Sequence, residues 1–199
     1  MKRLSFSILL AGLSLCFLTA PSIAALTPIG MGEISGVGNY KLVYDSAQDI
    51  TWLDYSSAAD TWSGQKDWAE NLVISFEGMD YSLWRLFWGP TGVDTFSEMY
   101  FMKQEIDASG INPFNELQTN FYWSFHEYWE DPGGDYAFVF ANTVLQADLL
   151  QNKELEYLAL AVHPGNLASV PLPGAVWLLG VGIIGLSGIN RKLRRQAAP

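Results

Sequence analysis

Apolar and polar residues alternate in two short segments near the start of the chain's middle region. Residues 40–45 (YKLVYD) and 50–54 (ITWLD) follow this pattern, and the polar residues 46–49 separate them. Alternation with a period of two is typical of strands with one buried face, and a short polar connection joins antiparallel neighbours. These segments therefore predict a β-hairpin. The glycine-rich segment before it, within residues 25–39, predicts a flexible lead-in.

The hydrophobic period lengthens to that of a helix after residue 66. Ser63 is the predicted N-cap of this first helix and Gly78 its end. The apolar stripe of the helix consists of Trp68, Ala69, Leu72, Val73 and Phe76. A second helix is predicted from Thr95 and Glu98, whose spacing is that of a capping box. The buried face and the end of this helix are predicted to be Met99, Met102, Ile106 and Gly110.

Strand patterns return after residue 120. Residues 121–125, 136–141 and 155–163 are rich in apolar and aromatic side chains. The sequence DPGGD at 131–135 predicts a tight connection between the first two of these strands. Two helices placed between groups of strands are typical of an α+β domain with an antiparallel sheet, which is the predicted fold class.

The N-terminal residues 1–24 have the pattern of an export signal. Two basic residues precede an apolar run over residues 4–18, and small residues precede Ala25. Signal peptidase removes such a segment during export, so the mature chain is expected to begin at Ala25. Cys16, the sole cysteine, lies in the signal. The mature domain is therefore expected to have no disulfide, even in an oxidising compartment.

The C-terminal residues 167–199 combine a proline motif, an apolar run and a basic end. The apolar run, residues 174–189, is a marginal membrane span of about sixteen residues, and basic residues favour the cytoplasmic side of a membrane. The predicted sorting residues are Val170, Pro171, Leu172 and Pro173 in the motif and Arg191, Lys192, Arg194 and Arg195 at the end.

This tail resembles the PEP-CTERM family of sorting signals, in the variant whose motif reads V-P-L-P. The resemblance implies recognition in the inner membrane by an exosortase, which processes the tail. It also implies a Gram-negative, exopolysaccharide-producing bacterium. The expected course is export through the inner membrane, transient anchoring by the C-terminal helix, and a final location at the cell surface or in the extracellular matrix. An ordinary C-terminal anchor helix is the alternative.

Charge is unevenly distributed along the chain. All twenty-one Asp and Glu residues fall between Glu33 and Glu156, and six of the eleven Lys and Arg residues lie in the two tails. The middle region keeps five basic residues, so its formal net charge is −16. Nucleic acids and anionic lipids are held chiefly by Lys and Arg. This charge therefore excludes nucleic acid as an expected partner.

The middle region, residues 40–166, resembles the Lcl C-terminal-like domain of bacterial collagen-like adhesins. The resemblance is carried by WRL at 84–86, YWS at 122–124 and a closing apolar strand. Phe87 and His163 replace a proline and an arginine of the family pattern. The resemblance implies a single C-type-lectin-like domain with an antiparallel sheet and two helices, between a signal peptide and a C-terminal transmembrane sorting helix. It implies structural roles for Trp84, Arg85, Tyr122 and Trp123.

Three tryptophans have loop-like neighbours and are candidates for ligand binding: Trp62, Trp88 and Trp129. Exposed rings beside carboxylates suit sugars, whose C–H faces stack on rings and whose hydroxyl groups form hydrogen bonds. The alternative role for each ring is packing. We therefore expect a non-enzymatic adhesion domain that binds a neutral polysaccharide, or an acidic one bridged by divalent cations.

Catalytic motifs are absent from the sequence: there is no P-loop, nucleophile elbow or H-E-x-x-H motif. Asp131 with Asp135, or Glu127 with Glu130, could form a calcium loop or a glycosidase pair, or could be solvated turn residues. The expectation is no enzyme, no cofactor and no metal. The alternative is an envelope carbohydrate hydrolase, for which two carboxyl groups about 5 to 9 Å apart in a cleft would be required.

Overall fold

The computed structural model describes residues 25–92 and 95–168, which form an α+β structure of two helices and ten antiparallel strands. Within these residues, no helix is long and apolar enough to cross a membrane. The predicted signal peptide, residues 1–24, lies outside the described residues. The predicted sorting motif, the apolar run at 174–189 and the basic end lie outside them as well.

The larger sheet has seven strands in the order β5-β4-β1-β2-β3-β10-β6. Their bounds are β1 Leu26–Ile34, β2 Gly38–Asp45, β3 Ile50–Leu53, β4 Ile74–Phe76, β5 Met79–Tyr81, β6 Arg85–Leu86 and β10 Ala161–Pro164. The predicted hairpin is confirmed as β2 and β3, with Val43 opposite Trp52. Only the end of the predicted strand at 155–163 is regular, as β10, which joins β3 to β6.

The smaller sheet has three strands in the order β7-β8-β9. Its strands are β7 Phe121–Glu127, β8 Tyr136–Ala141 and β9 Ala147–Asn152. The first two agree with the predicted strands, and residues 131–135 connect them as expected. Strand β9 is not predicted, because its side chains are partly exposed on both faces and give no alternating pattern. The Trp123 amide of β7 donates a hydrogen bond to the Leu158 carbonyl at 2.9 Å, and this bond links β7 to the segment before β10.

The predicted flexible lead-in is instead strand β1, which pairs with β2 and β4. Its glycines serve close packing. A Cβ atom at Gly32 would lie 2.5 Å from Cγ2 of Ile74 and 3.1 Å from Cδ1 of Leu42. The expectation of flexibility is wrong because a glycine-rich pattern does not distinguish a mobile segment from a strand that a neighbouring side chain closely approaches.

Helix α1 spans Trp62–Glu70 and is shorter than predicted. Its N-cap is Thr61, whose hydroxyl accepts a hydrogen bond from the Gly64 amide at 3.3 Å, whereas the predicted cap, Ser63, lies inside the helix. The last predicted helical turn is strand β4, and Gly78 belongs to the turn between β4 and β5. Of the last two residues in the predicted stripe, Phe76 is buried in β4 and Val73 is 49% exposed, so periodicity alone misassigns the boundary.

Helix α2 spans Glu98–Ser109. Its N-cap is Ser97, whose hydroxyl accepts from the Tyr100 amide at 3.1 Å. The predicted capping box is wrong because the Thr95 hydroxyl accepts instead from the loop amides of Thr91 and Gly92. The buried face and the left-handed end of the helix are confirmed as Met99, Met102, Ile106 and Gly110.

The central hairpin of β2 and β3 is buried on both faces. Leu42 and Leu53 belong to one hydrophobic cluster, which includes residues of α1, while Val43 and Trp52 belong to a second cluster with the buried residues of α2. Successive residues of a strand point to opposite faces, so each strand contributes to both clusters. The two helices are thereby fixed relative to one sheet, and the first turn of α2 has a defined position.

Candidate functional site

A cleft of about 280 Å³ lies between the first turn of α2, the β7–β8 turn and the start of β9. The three elements are distant in the chain and are brought together by the smaller sheet and its packing against α2. Side chains that line the cleft include Phe96, Tyr100, Trp129, Phe138 and Asp148. The cleft therefore combines four aromatic rings with one carboxyl group.

Two stacked aromatic pairs contribute to the walls of the cleft. Phe96 and Tyr100 stack with their centroids 4.3 Å apart and an interplanar angle of 16°. Trp129 and Phe138 stack at 5.1 Å and 13°. The first pair packs across the start of α2, because Phe96 lies just before the N-cap Ser97 and Tyr100 lies in the first helical turn. Since each ring is held by its partner, the walls present rings of fixed orientation.

Asp148 contributes a largely buried carboxyl group to the lining of the cleft. One carboxyl oxygen, Oδ2, accepts a hydrogen bond from the Ser97 amide at 3.0 Å. The other, Oδ1, is buried and has no hydrogen-bond partner among the described residues. Burial raises the pKa of this carboxyl, and the hydrogen bonds from Ser97 oppose that rise. The carboxyl group therefore adds polar character to a cleft whose other walls include aromatic rings.

The loop beside the cleft is fixed by an ion pair between Arg85 and Glu98. The guanidinium group donates to both carboxylate oxygens of Glu98, at 2.7 and 2.9 Å, and to the Leu86 carbonyl at 2.9 Å. Glu98 also accepts from the Trp88 amide at 2.7 Å. The pair therefore joins β6, the start of the loop and the first residue of α2. Pro90 of this loop lines the cleft.

The three candidate binding tryptophans lie in different environments. Trp62 is only 7% exposed, donates from Nε1 to the Ser124 carbonyl at 2.9 Å, and begins α1, so it is not the exposed loop ring that the sequence predicts. Trp88 is 46% exposed, with the Arg85 guanidinium group 4.9 Å from its ring centroid. Trp129 lines the cleft. The structure therefore brings only Trp129 into the aromatic site.

The residues assigned structural roles lie in or next to the core. Trp84, Tyr122 and Trp123 have at most 1% of their surface exposed. Tyr122 accepts a hydrogen bond from the Gln118 amide at 2.8 Å through its hydroxyl group, and the Trp123 indole donates to the Asp60 carbonyl at 3.1 Å. These contacts hold loop backbone against the two clusters and leave the rings inaccessible to a ligand.

The carboxylates near the β7–β8 turn are engaged in local contacts. Glu127 accepts from the Gly133 amide at 2.6 Å and pairs with Lys153 at 3.2 Å. That amide, followed by Lys153, lowers the pKa of Glu127 against the opposing effect of burial. Glu130 accepts from the Tyr128 hydroxyl. Over residues 25–92 and 95–168, no group of three or more His, Cys, Asp or Glu side chains is arranged to hold a metal.

Comparison with known proteins gives no match: no family model fits the chain, and no curated protein or solved structure is significantly similar to it. The functional assignment therefore depends on the side chains that line the cleft and on the sequence motifs.

Most of the cleft is not predictable from the sequence. The spacing of Phe96 and Tyr100 across a helix start is a visible signal for a ring pair. Phe138 falls in a predicted strand, without a predicted role. Asp148 lies in the unpredicted strand β9, and no local pattern indicates that its carboxyl group meets the start of α2. The cleft is a product of tertiary packing.

Proposed function

We propose that this chain is an exported surface or matrix protein whose domain binds neutral glycans and so mediates adhesion. The observation that carries the proposal is the pair of ring stacks that share one cleft with the Asp148 carboxyl group. Sugar rings offer C–H faces for stacking and hydroxyl groups as hydrogen-bond donors, which is the complement of this surface.

Charge supports a neutral ligand over an acidic one. The region between the tails has a net charge of −16, so direct contact with a polyanion is repulsive over about 8 Å at physiological salt. Asp148 adds a carboxyl group inside the cleft itself. An acidic polysaccharide would therefore need bridging divalent cations, because hard cations bind carboxylate oxygens on both partners.

The terminal segments support export and surface location. The N-terminal signal, the PEP-CTERM-like tail and exosortase processing form one route from the inner membrane to the cell surface or matrix. The resemblance to the Lcl C-terminal-like domain supports a lectin-like fold and an adhesive role for the region between them. Both resemblances rest on sequence motifs and are independent of the cleft.

The direct test is binding of the purified full chain to neutral and acidic glycans on an array, each with calcium and with chelator. A polyoxyethylene detergent is needed for the apolar tail, because a maltoside headgroup is itself a glycan. Binding to neutral glycans without calcium is expected, and Trp129→Ala should weaken it about tenfold or more, as expected for loss of a stacking contact of about 1–2 kcal/mol.

The matched control for this variant is Tyr136→Ala, which removes an exposed ring from the same hairpin outside the cleft. It should leave binding unchanged. Tight, calcium-independent binding to acidic glycans, or equal losses for the two variants, would contradict the proposal. Release of reducing sugar ends from a bound glycan would indicate a hydrolase instead.

Processing of the tail is tested separately in a host that has an exosortase. Replacing Pro171 and Pro173 by alanine should leave the full-length chain in the inner membrane, whereas the unaltered chain should be shortened at its C-terminus and reach the surface. The readout is the mass of the chain in each cell fraction. An unaltered chain that stays full length in the inner membrane would refute exosortase sorting.

A further inference from the structure

We infer that the aromatic cleft is one of two subsites in a groove along α2, and that the ligand is a neutral hexose chain that occupies both. This inference rests on the proposed function. A second cavity of about 390 Å³ borders the cleft, and Gln146 lines both. The second cavity is also lined by Lys103 and Thr143, so the two subsites lie between α2 and the β8–β9 turn.

The groove follows one face of α2. Phe96 and Tyr100 line the aromatic subsite, and Lys103 lines the second. Tyr100 and Lys103 are three residues apart, which places them on one face of α2, and Phe96 lies just before the N-cap Ser97. At about 1.5 Å per residue, the helix advances about 7.5 Å from its first residue, Glu98, to Lys103, and Phe96 lies before that start. This distance exceeds the width of a single sugar ring, so one sugar cannot contact both ends.

The two subsites differ in chemistry. The first holds four aromatic rings and the Asp148 carboxyl group, whereas the second is lined mainly by polar side chains: Lys103, Asn112, Thr119, Asn142 and Thr143. Stacking would hold one sugar of a chain in the first subsite, and hydrogen bonds from the ammonium and hydroxyl groups would hold a neighbouring sugar in the second. The combination fits a chain of hydroxyl-rich neutral sugars.

The junction residue, Gln146, has an unusual backbone. Its φ angle is 42°, in the left-handed region where glycine is favoured over any residue with a Cβ atom. It lies at the end of the turn between β8 and β9, where glycine would cost less conformational energy. A side chain held in a strained backbone at the meeting point of two cavities indicates a functional role for that side chain.

The test titrates the full chain, in polyoxyethylene detergent, with oligomers of one to six units from cellulose, mannan and dextran. For at least one series, affinity should rise about tenfold or more between one and four units, as a second subsite adds contacts without a second association cost. Lys103→Ala should remove this gain, lowering tetrasaccharide affinity about tenfold while leaving monosaccharide affinity unchanged, because Lys103 lines only the second subsite. Gln146→Gly, at the junction of the two subsites, should also lower tetrasaccharide affinity.

Gln104→Ala is the matched control, because Gln104 is next to Lys103 on α2 but lines a different cavity. Its tetrasaccharide affinity should equal that of the unaltered chain. Gln146→Gly relieves the strained backbone, so its melting temperature should not fall, which separates lost binding from lost folding. Trp129→Ala should weaken monosaccharide and tetrasaccharide alike.

Equal affinity for one and four units, or unchanged tetrasaccharide binding by Lys103→Ala and Gln146→Gly, would overturn the two-subsite groove and leave the proposed glycan binding standing. Binding to array glycans without binding to any of the three hexose series would also overturn it. If no glycan binds in any format, the proposed function and this inference fail together.

Discussion

Removing the Arg85 guanidinium group should destabilise the domain strongly. Arg85→Met keeps an unbranched side chain that can pack on Trp88, but it deletes both hydrogen bonds to Glu98 and the one to the Leu86 carbonyl. The Glu98 carboxylate, which is 17% exposed in the unaltered chain, then keeps the Trp88 amide as a donor but loses the guanidinium group. The Glu98 carboxylate thus loses most of the hydrogen bonds that offset the cost of removing it from water.

The magnitude follows from the geometry. Removing one partner of a buried ion pair costs about 3–5 kcal/mol, and hydrogen bonds to charged groups contribute about 1.5–3 kcal/mol each. Because the two side chains of this pair are 18% and 17% exposed, water can reach them in part. We therefore expect a loss of about 3 kcal/mol, near the lower end of the range. For a domain of this size that corresponds to about 10 °C in melting temperature.

The assay is urea denaturation of the purified full chain, followed by tryptophan fluorescence, on a double-mutant cycle. Arg85→Met, Glu98→Gln and the double variant are compared with the unaltered chain. Because the side-chain amide in Glu98→Gln keeps an oxygen acceptor for the Trp88 N–H group, the cycle isolates the ion pair, and a coupling of about 2 kcal/mol is expected. A melting temperature of Arg85→Met within about 2 °C of the unaltered chain, or strictly additive losses, would refute the reasoning.

Three further changes test other parts of the fold, each by urea denaturation. Gln65→Leu leaves the buried Ser57 hydroxyl without its acceptor and the Ala58 carbonyl without its donor, whereas the Tyr157 carbonyl keeps the Asp60 amide. This change should cost about 2 kcal/mol, so an unchanged midpoint would contradict this account. Burial, and after it the charge of Asp45, raises the pKa of Glu105. Folding therefore favours the protonated carboxyl group, and the stability of the domain falls as the pH rises through this pKa. Glu105→Gln should be more stable than the unaltered chain at about pH 7 and lose that advantage below the ordinary pKa of 4.5. Gly32→Ala should cost about 1–3 kcal/mol because the added Cβ atom clashes with Ile74. Gly92→Ala is the control, because its Cβ atom would meet open space, and it should leave the free energy of unfolding unchanged. Equal effects of the two changes would rule out the close approach of Ile74 to Gly32.

Local periodicity predicts the elements whose burial is regular. The alternation at 40–45 and 50–54 corresponds to β2 and β3, and the apolar face of α2 matches its buried residues. The run at 136–141 is β8. Burial follows a helical period in α2, whereas β3 and β8 are buried at almost every position, so the apolar composition of these strands predicts them as much as alternation does.

Local patterns fail where packing from elsewhere decides the structure. Strand β1 depends on Ile74 approaching Gly32, and a glycine gives no sign of such an approach. Trp62 has polar neighbours in the chain, yet its ring packs in the cluster of Leu42 and Leu53, and its indole N–H donates to the Ser124 carbonyl. The Arg85 prediction names no partner, and the actual partner, Glu98, is instead assigned to a capping box. The spacing of residues along the chain does not predict which side chains from distant segments contact each other.

The cleft walls are held by contacts that do not involve a ligand. Ser97 donates its amide to Asp148 of β9, and Glu98 is tied to β6 by Arg85. Strand β9 pairs with β8, which carries Phe138, so the ring stack on α2 and the ring stack on the smaller sheet are joined through hydrogen-bonded backbone. A site whose walls are already fixed loses little conformational entropy on binding. Affinity should therefore depend on the stacking and hydrogen bonds that a sugar chain makes, which is why a change at one ring is expected to alter binding while the fold persists.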